Sequence, residues 1–309
     1  MINQHSIKKE QKSSIQLYFI CSFIIITIVF IELRIFLCFF EISEWIQITK
    51  DIDFKILIKG MDNGLVDFYN TIGITHWPPY YLYFWYFIFY PIYIIPYNTI
   101  IGIYIWDVFR LVLTIIVVKE SPKIFKNKKD LLIFYLMCII GFSIDGYYNN
   151  VNFLILFLLF YSYVYFERDK KWVAGILFTL ATFKVTALLF LPVLLIARKI
   201  KWKDLLYYLV PFFIICIPYI IFPNYFLQMF HNWFHSDEEI QGLLILDSII
   251  WKALQPSHLM FISLLLLIFL ENLKNEDRKN LYRIIIVSII SIYYIYLTTI
   301  VFIIPVVLR

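Results

Sequence analysis

The stretch Ser14–Phe40, SIQLYFICSFIIITIVFIELRIFLCFF, is almost unbroken hydrocarbon. Coiled as a helix it is long enough to cross a bilayer core of about 30 Å. It is too long for a signal-peptide core and no small-residue cleavage site follows it, so it is expected to remain as a transmembrane helix. Further apolar runs lie at 79–97, 99–118, 131–146, 151–166, 172–197, 204–222, 257–270 and 281–308. Of the 309 residues 62% are hydrophobic and only 16% charged, more apolar surface than a soluble domain carries. The runs are continuous rather than alternating, which excludes a transmembrane barrel. The expected fold is all-α, a polytopic transmembrane helical protein of about 8–10 membrane segments. Residues 1–309 read as a single integral membrane domain without internal repeat.

The remaining composition fits that class. Aromatics reach 20%, and many tyrosines stand at segment ends, where rings anchor at the headgroup level. With 8 glycines, close glycine-based helix crossings are not expected to dominate the packing. Cys21, Cys38, Cys138 and Cys216 all fall in apolar runs and read as packing residues, not as a disulfide frame or metal site. The lysines are dispersed among short loops, so the net charge of +5 gives no sign of nucleic acid as a partner.

Those loops set the orientation. Stretches 119–130, 167–171, 198–203 and 271–283, with Lys8, Lys9 and Lys12, hold 19 of the 27 basic residues. The positive-inside rule places them in the cytoplasm. Residues 41–78, 146–150, the Lys184 region and 223–256 then face the other side, 41–78 as an extracytoplasmic loop. The assignment requires that 79–97 and 99–118 do not both cross. Pro78, Pro79, Pro91 and Pro96 crowd the first, and a proline-rich segment can lie at the interface or re-enter if protein covers its broken hydrogen bonds. The alternative puts 41–78 in the cytoplasm, with Lys50, Lys55 and Lys59 in its favour.

Polar residues in this apolar chain are the candidates for chemistry. Lys50-Asp51-Ile52-Asp53-Phe54 forms an acid-x-acid step in the loop after the first segment, at the membrane boundary. Lys184 interrupts the run 172–197, which also holds Pro192, as if two helices met there. Intramembrane charge is functional by default, although a snorkelling lysine is the plain alternative. Asn150 and Asn152 stand at a helix start, where they could cap it or hold sugar hydroxyls and phosphate oxygens. Asp107 and Arg110, three apart, are expected to pair with each other, and Glu32 and Arg34 with neighbours in the first helix. His231 and His235 have the spacing of zinc ligands, but no third ligand follows, and a solvated face is the better reading. Glu238-Glu239 reads as solvent-facing. His76 beside Trp77 is either a donor contact or an interfacial neighbour of aromatics.

In order, the acid-x-acid loop is followed by Gly64, Tyr69 and Trp77-Pro78-Pro79-Tyr80, which opens the next segment. That order resembles the first external loop of GT-C glycosyltransferases that take mannose from a polyprenyl phosphate, among them the first mannosyltransferase of glycosylphosphatidylinositol synthesis. Asn149-Asn150-Val151-Asn152 is similar to the Gly-Gln-x-Asn step of bacterial polyprenyl-phosphate-mannose-dependent α-mannosyltransferases. A basic turn from Glu167 to Lys171, Ala174-Gly175, Phe183-Lys184, Pro192 and Arg198–Trp202 continue the likeness, which covers residues 45–203. Asn149 stands where that pattern has glycine, Asn150 where it has glutamine, and Ala187 where a proline often follows the lysine.

The resemblance implies a hexosyltransferase, an α-mannosyltransferase using dolichyl or another polyprenyl phosphate mannose, in the plasma membrane or endoplasmic reticulum, with its site on the extracytoplasmic or lumenal side. It implies a lipid-linked donor, a lipid or glycan acceptor and room for an accessory subunit. The chemistry needs a base for the acceptor hydroxyl and a group to hold the departing phosphate. Asp51 and Asp53 are the catalytic candidates. In an extended segment they point the same way, so one could act while the other orients it or binds a divalent cation, the single cofactor the loop suggests. The family's spacing to Gly64 favours Asp51 as base. Lys184, Asn150, Asn152 and His76 are the donor-binding candidates. A transporter or lipid flippase is the rival, though it would be expected to show inverted repeats.

Overall fold

Residues 4–39, 51, 54, 58, 61, 64, 69, 81–94, 99–125, 128–196 and 198–235 are described by the computed structural model, and every regular element among them is helical. Helix α1 runs Gln4–Phe39, α2 Trp85–Tyr93, α3 Thr99–Glu120, α4 Lys128–Tyr148, α5 Asn152–Glu167, α6 Lys171–Ala181, α7 Phe190–Ile196, α8 Leu205–Ile215, α9 Ile217–Ile221 and α10 Pro223–His235. Stretches Ser14–Phe36 and Ile101–Lys123 are long and apolar enough to cross a membrane, whereas Asp130–Ser143, Asn152–Glu167 and Lys171–Ala181 are apolar but shorter. The apolar runs 257–270 and 281–308 and the basic stretch 271–283 lie outside the described residues.

The chain's punctuation explains the breaks. Pro122 enters a short 3-10 turn at Ser121–Lys123, where α3 stops. Asp169 takes a left-handed φ of 60°, reversing the chain between α5 and α6. The run 172–197 divides at Lys184 as its charge suggested: α6 ends at Ala181, and a 3-10 turn over Val185–Leu189 leads into α7. The run 204–222, read as one segment, is instead split at Cys216, with Pro211 inside α8 and Pro218 in the first turn of α9. Proline removes a helix hydrogen bond and crowds the preceding turn, which the hydropathy of the run does not register.

Packing follows from shape. Trp106 of α3 is fully buried, and its ring meets Phe54, Phe89 and Phe153 at 5.8, 5.1 and 5.0 Å between centroids. Between α6 and α8 the decisive residue is Gly175. A Cβ there would lie 1.7 Å from the backbone oxygen of Tyr207, so only glycine lets the helices approach this closely. At the same level Ser162 Oγ of α5 donates to Ala174 O at 2.8 Å.

Two ends of the bundle emerge. At the first, Gln16 Nε2 donates to Val118 O at 2.8 Å, Glu120 faces Lys123 and Arg168, and Lys171 reaches Asp204 at 2.9 Å. The Lys201 backbone N–H, with Lys171, holds the Asp204 carboxyl below the usual carboxylate range. These contacts gather the basic stretches 119–130, 167–171 and 198–203. Arg34, Asp51, Asp107, residues 145–152 and Lys184 occupy the opposite end. Helix α2, of 9 residues, rises only about 13 Å, less than half of what a crossing needs. Leu82 N donates to Phe183 O at 2.8 Å, and the Phe89 ring lies 5.6 Å from that of Phe183, so this segment stays by the polar end. Tyr69 and Tyr219 share a 2.6 Å hydroxyl contact, and Tyr83 N donates to the Tyr219 oxygen, fastening the first loop to α9.

Candidate active site

Five side chains from four parts of the chain close a ring at the polar end. Arg34 of α1 donates through Nε to Asp51 Oδ1 at 3.1 Å and through Nη1 to Asp107 Oδ2. Arg110, one turn on from Asp107 in α3, donates through Nη2 to Asp107 Oδ1 and through Nη1 to Asn149 Oδ1 at 2.9 Å. Asn149 Nδ2 completes the circuit by donating to Asp51 Oδ1 at 2.6 Å. All five residues are buried. Two guanidiniums and two carboxylates make the ring formally neutral, the form in which buried charge is tolerable.

The C-terminal end of α4 supports both cations. Gly146 O accepts from Arg34 Nη2 at 2.9 Å, and Asp145 O accepts from Arg110 Nη1 at 3.1 Å. Final-turn carbonyls lack helical partners, and the helix dipole favours positive charge there. Phe30 and Phe142 lie against the guanidiniums of Arg34 and Arg110, 5.9 and 5.1 Å from ring centroid to Cζ. A Cβ on Gly146 would stand 2.6 Å from the Phe30 ring, so the missing side chain lets α1 reach the α4 terminus.

A second arm carries Lys184. Its ammonium donates to Asn150 Oδ1 at 3.1 Å and Asn152 Oδ1 at 2.9 Å. Asn152 Nδ2 in turn donates to Asp145 Oδ1 at 3.0 Å, and Asp145 Oδ2 accepts the Phe153 backbone N–H at 2.7 Å. Asp145, not Asn150 or Asn152, therefore supplies a side-chain acceptor to the first turn of α5. Asn150 Oδ1 turns to the Val151 N–H at 2.7 Å, outside the helix, and Asn152 is committed to Lys184 and Asp145. The arms join at Arg110, whose Nη1 serves both Asn149 and the Asp145 carbonyl.

The expected set is thus partly assembled. Asp51, Asn150, Asn152 and Lys184 share one buried polar region, and the Asp107–Arg110 pair forms as its spacing suggested. Asp53 and His76 lie outside the described residues, as do Glu238, Glu239 and the side chains of His231 and His235. Two expectations need correction. Arg34 does not pair within its own helix; it reaches Asp51 and Asp107, while Glu32 is exposed. Asp51 is not extended: its φ of 44° is left-handed, a conformation the Arg34 and Asn149 contacts hold. Among the described residues no group of three or more His, Cys, Asp or Glu side chains is placed to bind a metal. A divalent cation at Asp51 would share the carboxylate with the Arg34 guanidinium.

Asp145 and the ring role of Asn149 are what the residue-level reading missed. Asp145 was visible as an acid closing the apolar run 131–146. Asn149 φ is 53°, the left-handed region, which accounts for the glycine that the resembling pattern has at this position.

The family model of glycosyltransferase family 87 matches residues 80–302, well over half of the chain. No curated protein and no solved structure matches.

Proposed function

The chain belongs to glycosyltransferase family 87, a family of membrane glycosyltransferases, and from that premise we propose that it transfers a hexose, mannose by preference, from a polyprenyl phosphate to a hydroxyl of a lipid-linked or glycan acceptor. Family membership sets the transporter and flippase reading aside. The observation that carries the finer reading is the continuous hydrogen-bonded path from Asp51 through Asn149, Arg110, Asp145 and Asn152 to Lys184, residues distant in sequence and gathered at one end of the bundle.

In this reading the acceptor oxygen bonds to the anomeric carbon as that carbon's bond to the phosphate oxygen breaks. Polyprenyl phosphate leaves with the bonding pair, the hydroxyl proton passes to a carboxylate of the acid-x-acid step, and one displacement inverts the centre. Asp51 is the proposed base, with Asp53 as its partner in the loop. Lys184 meets the donor phosphate. It rests on two amide oxygens, which carry no net charge; a phosphate oxygen adds the attraction of opposite charges to the hydrogen bond, so the donor can compete with them. Asn150 and Asn152, once displaced, are amides at hand for the sugar and phosphate. The polar end then faces away from the cytoplasm, and the basic stretches face it.

The test is transfer in membranes from labelled polyprenyl-phosphate mannose, comparing the native protein with Asp51→Ala and Asp53→Ala. Asp51→Asn should lower turnover about 10²–10⁴-fold with donor affinity retained. Lys184→Met should weaken donor affinity and turnover together, since its charge meets phosphate before and during transfer. Native turnover in Asp51→Asn would move the base to Asp53. Labelling of Asn63→Cys from outside, with protection of Lys126→Cys, checks the orientation.

A further inference from the structure

We infer that Asn149 is the positioning residue of Asp51, an inference that rests on the reading of Asp51 as base. The backbone alone does not select asparagine here. At φ 53° glycine is the easiest residue, and asparagine and aspartate are both tolerated. What separates them is the pair of groups that the side chain meets. Arg110 Nη1 presents a donor at 2.9 Å and Asp51 Oδ1 an acceptor at 2.6 Å. An amide carries one accepting atom, its oxygen, and one donating atom, its nitrogen, and only one orientation of it serves both neighbours. Glycine would take one partner from each, leaving Arg110 Nη1 with the Asp145 carbonyl and Asp51 Oδ1 with Arg34 but with nothing to tie the two together; aspartate would set two carboxylates against each other, and glutamine carries an extra methylene in a position with no exposure. Asn149 therefore fixes the Asp51 oxygen relative to the α3 ring members, the way a group beside a base sets its angle of attack.

Asn152 repeats the device on the other arm, its amide oxygen taking Lys184 and its nitrogen giving to Asp145. The repetition shows two acid–amide–cation units built alike, Asp51–Asn149–Arg110 and Asp145–Asn152–Lys184. The first holds the carboxylate assigned to the acceptor and the second the cation assigned to the donor, so damage to Asn149 should be felt on one side of the reaction only.

The experiment uses the full chain in membranes and in detergent. Asn149→Gly keeps the backbone and deletes the amide. The expected result is a fall in turnover of about a hundredfold, the scale of a small misplacement of a reacting group, with the affinity for polyprenyl-phosphate mannose unchanged. Asn149→Asp should lower the thermal midpoint as well as turnover. In the exchange Asp51→Asn with Asn149→Asp, the carboxylate at 149 accepts from Arg110 and from the new amide at 51, so the midpoint should recover while turnover stays at background. Native turnover in Asn149→Gly, or turnover and donor affinity falling in step, would overturn the inference. So would recovery of turnover together with stability in the exchanged pair, which would make the residue's role purely structural. Absence of transfer by the native protein would instead defeat the donor reading, and it is distinguished because the fall in midpoint of Asn149→Asp and its recovery in the exchanged pair would still be seen.

Discussion

At one end of the bundle Lys123 and Arg168 reach Glu120 from side chains that are 64% and 49% exposed; at the other, Arg34 and Arg110 grip Asp107 at 7% and 0%. Each end pairs two cations with one carboxylate, and the consequences differ. An exposed pair exchanges protein contacts for water at little net gain, and salt screens it. A buried pair has given up its water, so each member depends on the others remaining in place. The exposed end is held instead by backbone closeness at Gly175, where shape does what charge does at the opposite end.

Three substitutions test that contrast. Asp107→Asn should have the largest effect, because it leaves two buried guanidiniums sharing a neutral amide. A loss of about 3–5 kcal/mol is expected, read as a drop in folded yield and thermal midpoint in detergent. A loss no greater than that of an exposed pair would break the comparison. Gly175→Ala comes next, at about 1–3 kcal/mol, since its methyl would have to push the Tyr207 backbone aside. Its cost should be indifferent to ionic strength, in the same thermal measurement repeated at low and high salt. Glu120→Gln is the smallest, about 0–1 kcal/mol, and that difference should shrink further at high salt.

The contrast also marks how far the sequence could be read. Helix-forming runs such as 99–118 and 151–166 were legible because hydrophobic length is a local property, and α3 and α5 match them within two residues. The break at Lys184 was legible for the same reason, as a charge where the run should be apolar. The Asp107–Arg110 pair lies within one turn of helix and could be read from spacing. Arg34 could not, since its partners are 17 and 73 residues away and nothing local distinguishes them from the nearer Glu32. Asp145 was passed over because an acid at the end of an apolar run looks like the start of a loop. Its work, capping α5 and orienting Asn152, exists only once α4 and α5 are placed together. The split at Cys216 was written in Pro211 and Pro218 but outweighed by the hydropathy around them.

The ring has a consequence for the order in which the protein is made. Its members leave the ribosome separately: Arg34 precedes Asp107 by 73 residues, and Asp51 precedes Asn149 by 98. Until Asp107 of α3 has been made, Arg34 has Asp51 as its one available ring partner, and the carbonyl of Gly146 comes 112 residues after it. Charges of this kind are costly to leave in hydrocarbon without partners. Membrane insertion of α1 is thus completed, in energetic terms, only when α4 arrives. A nascent chain arrested before α4 holds Arg34 and Arg110 without the two carbonyls and the amide that receive them.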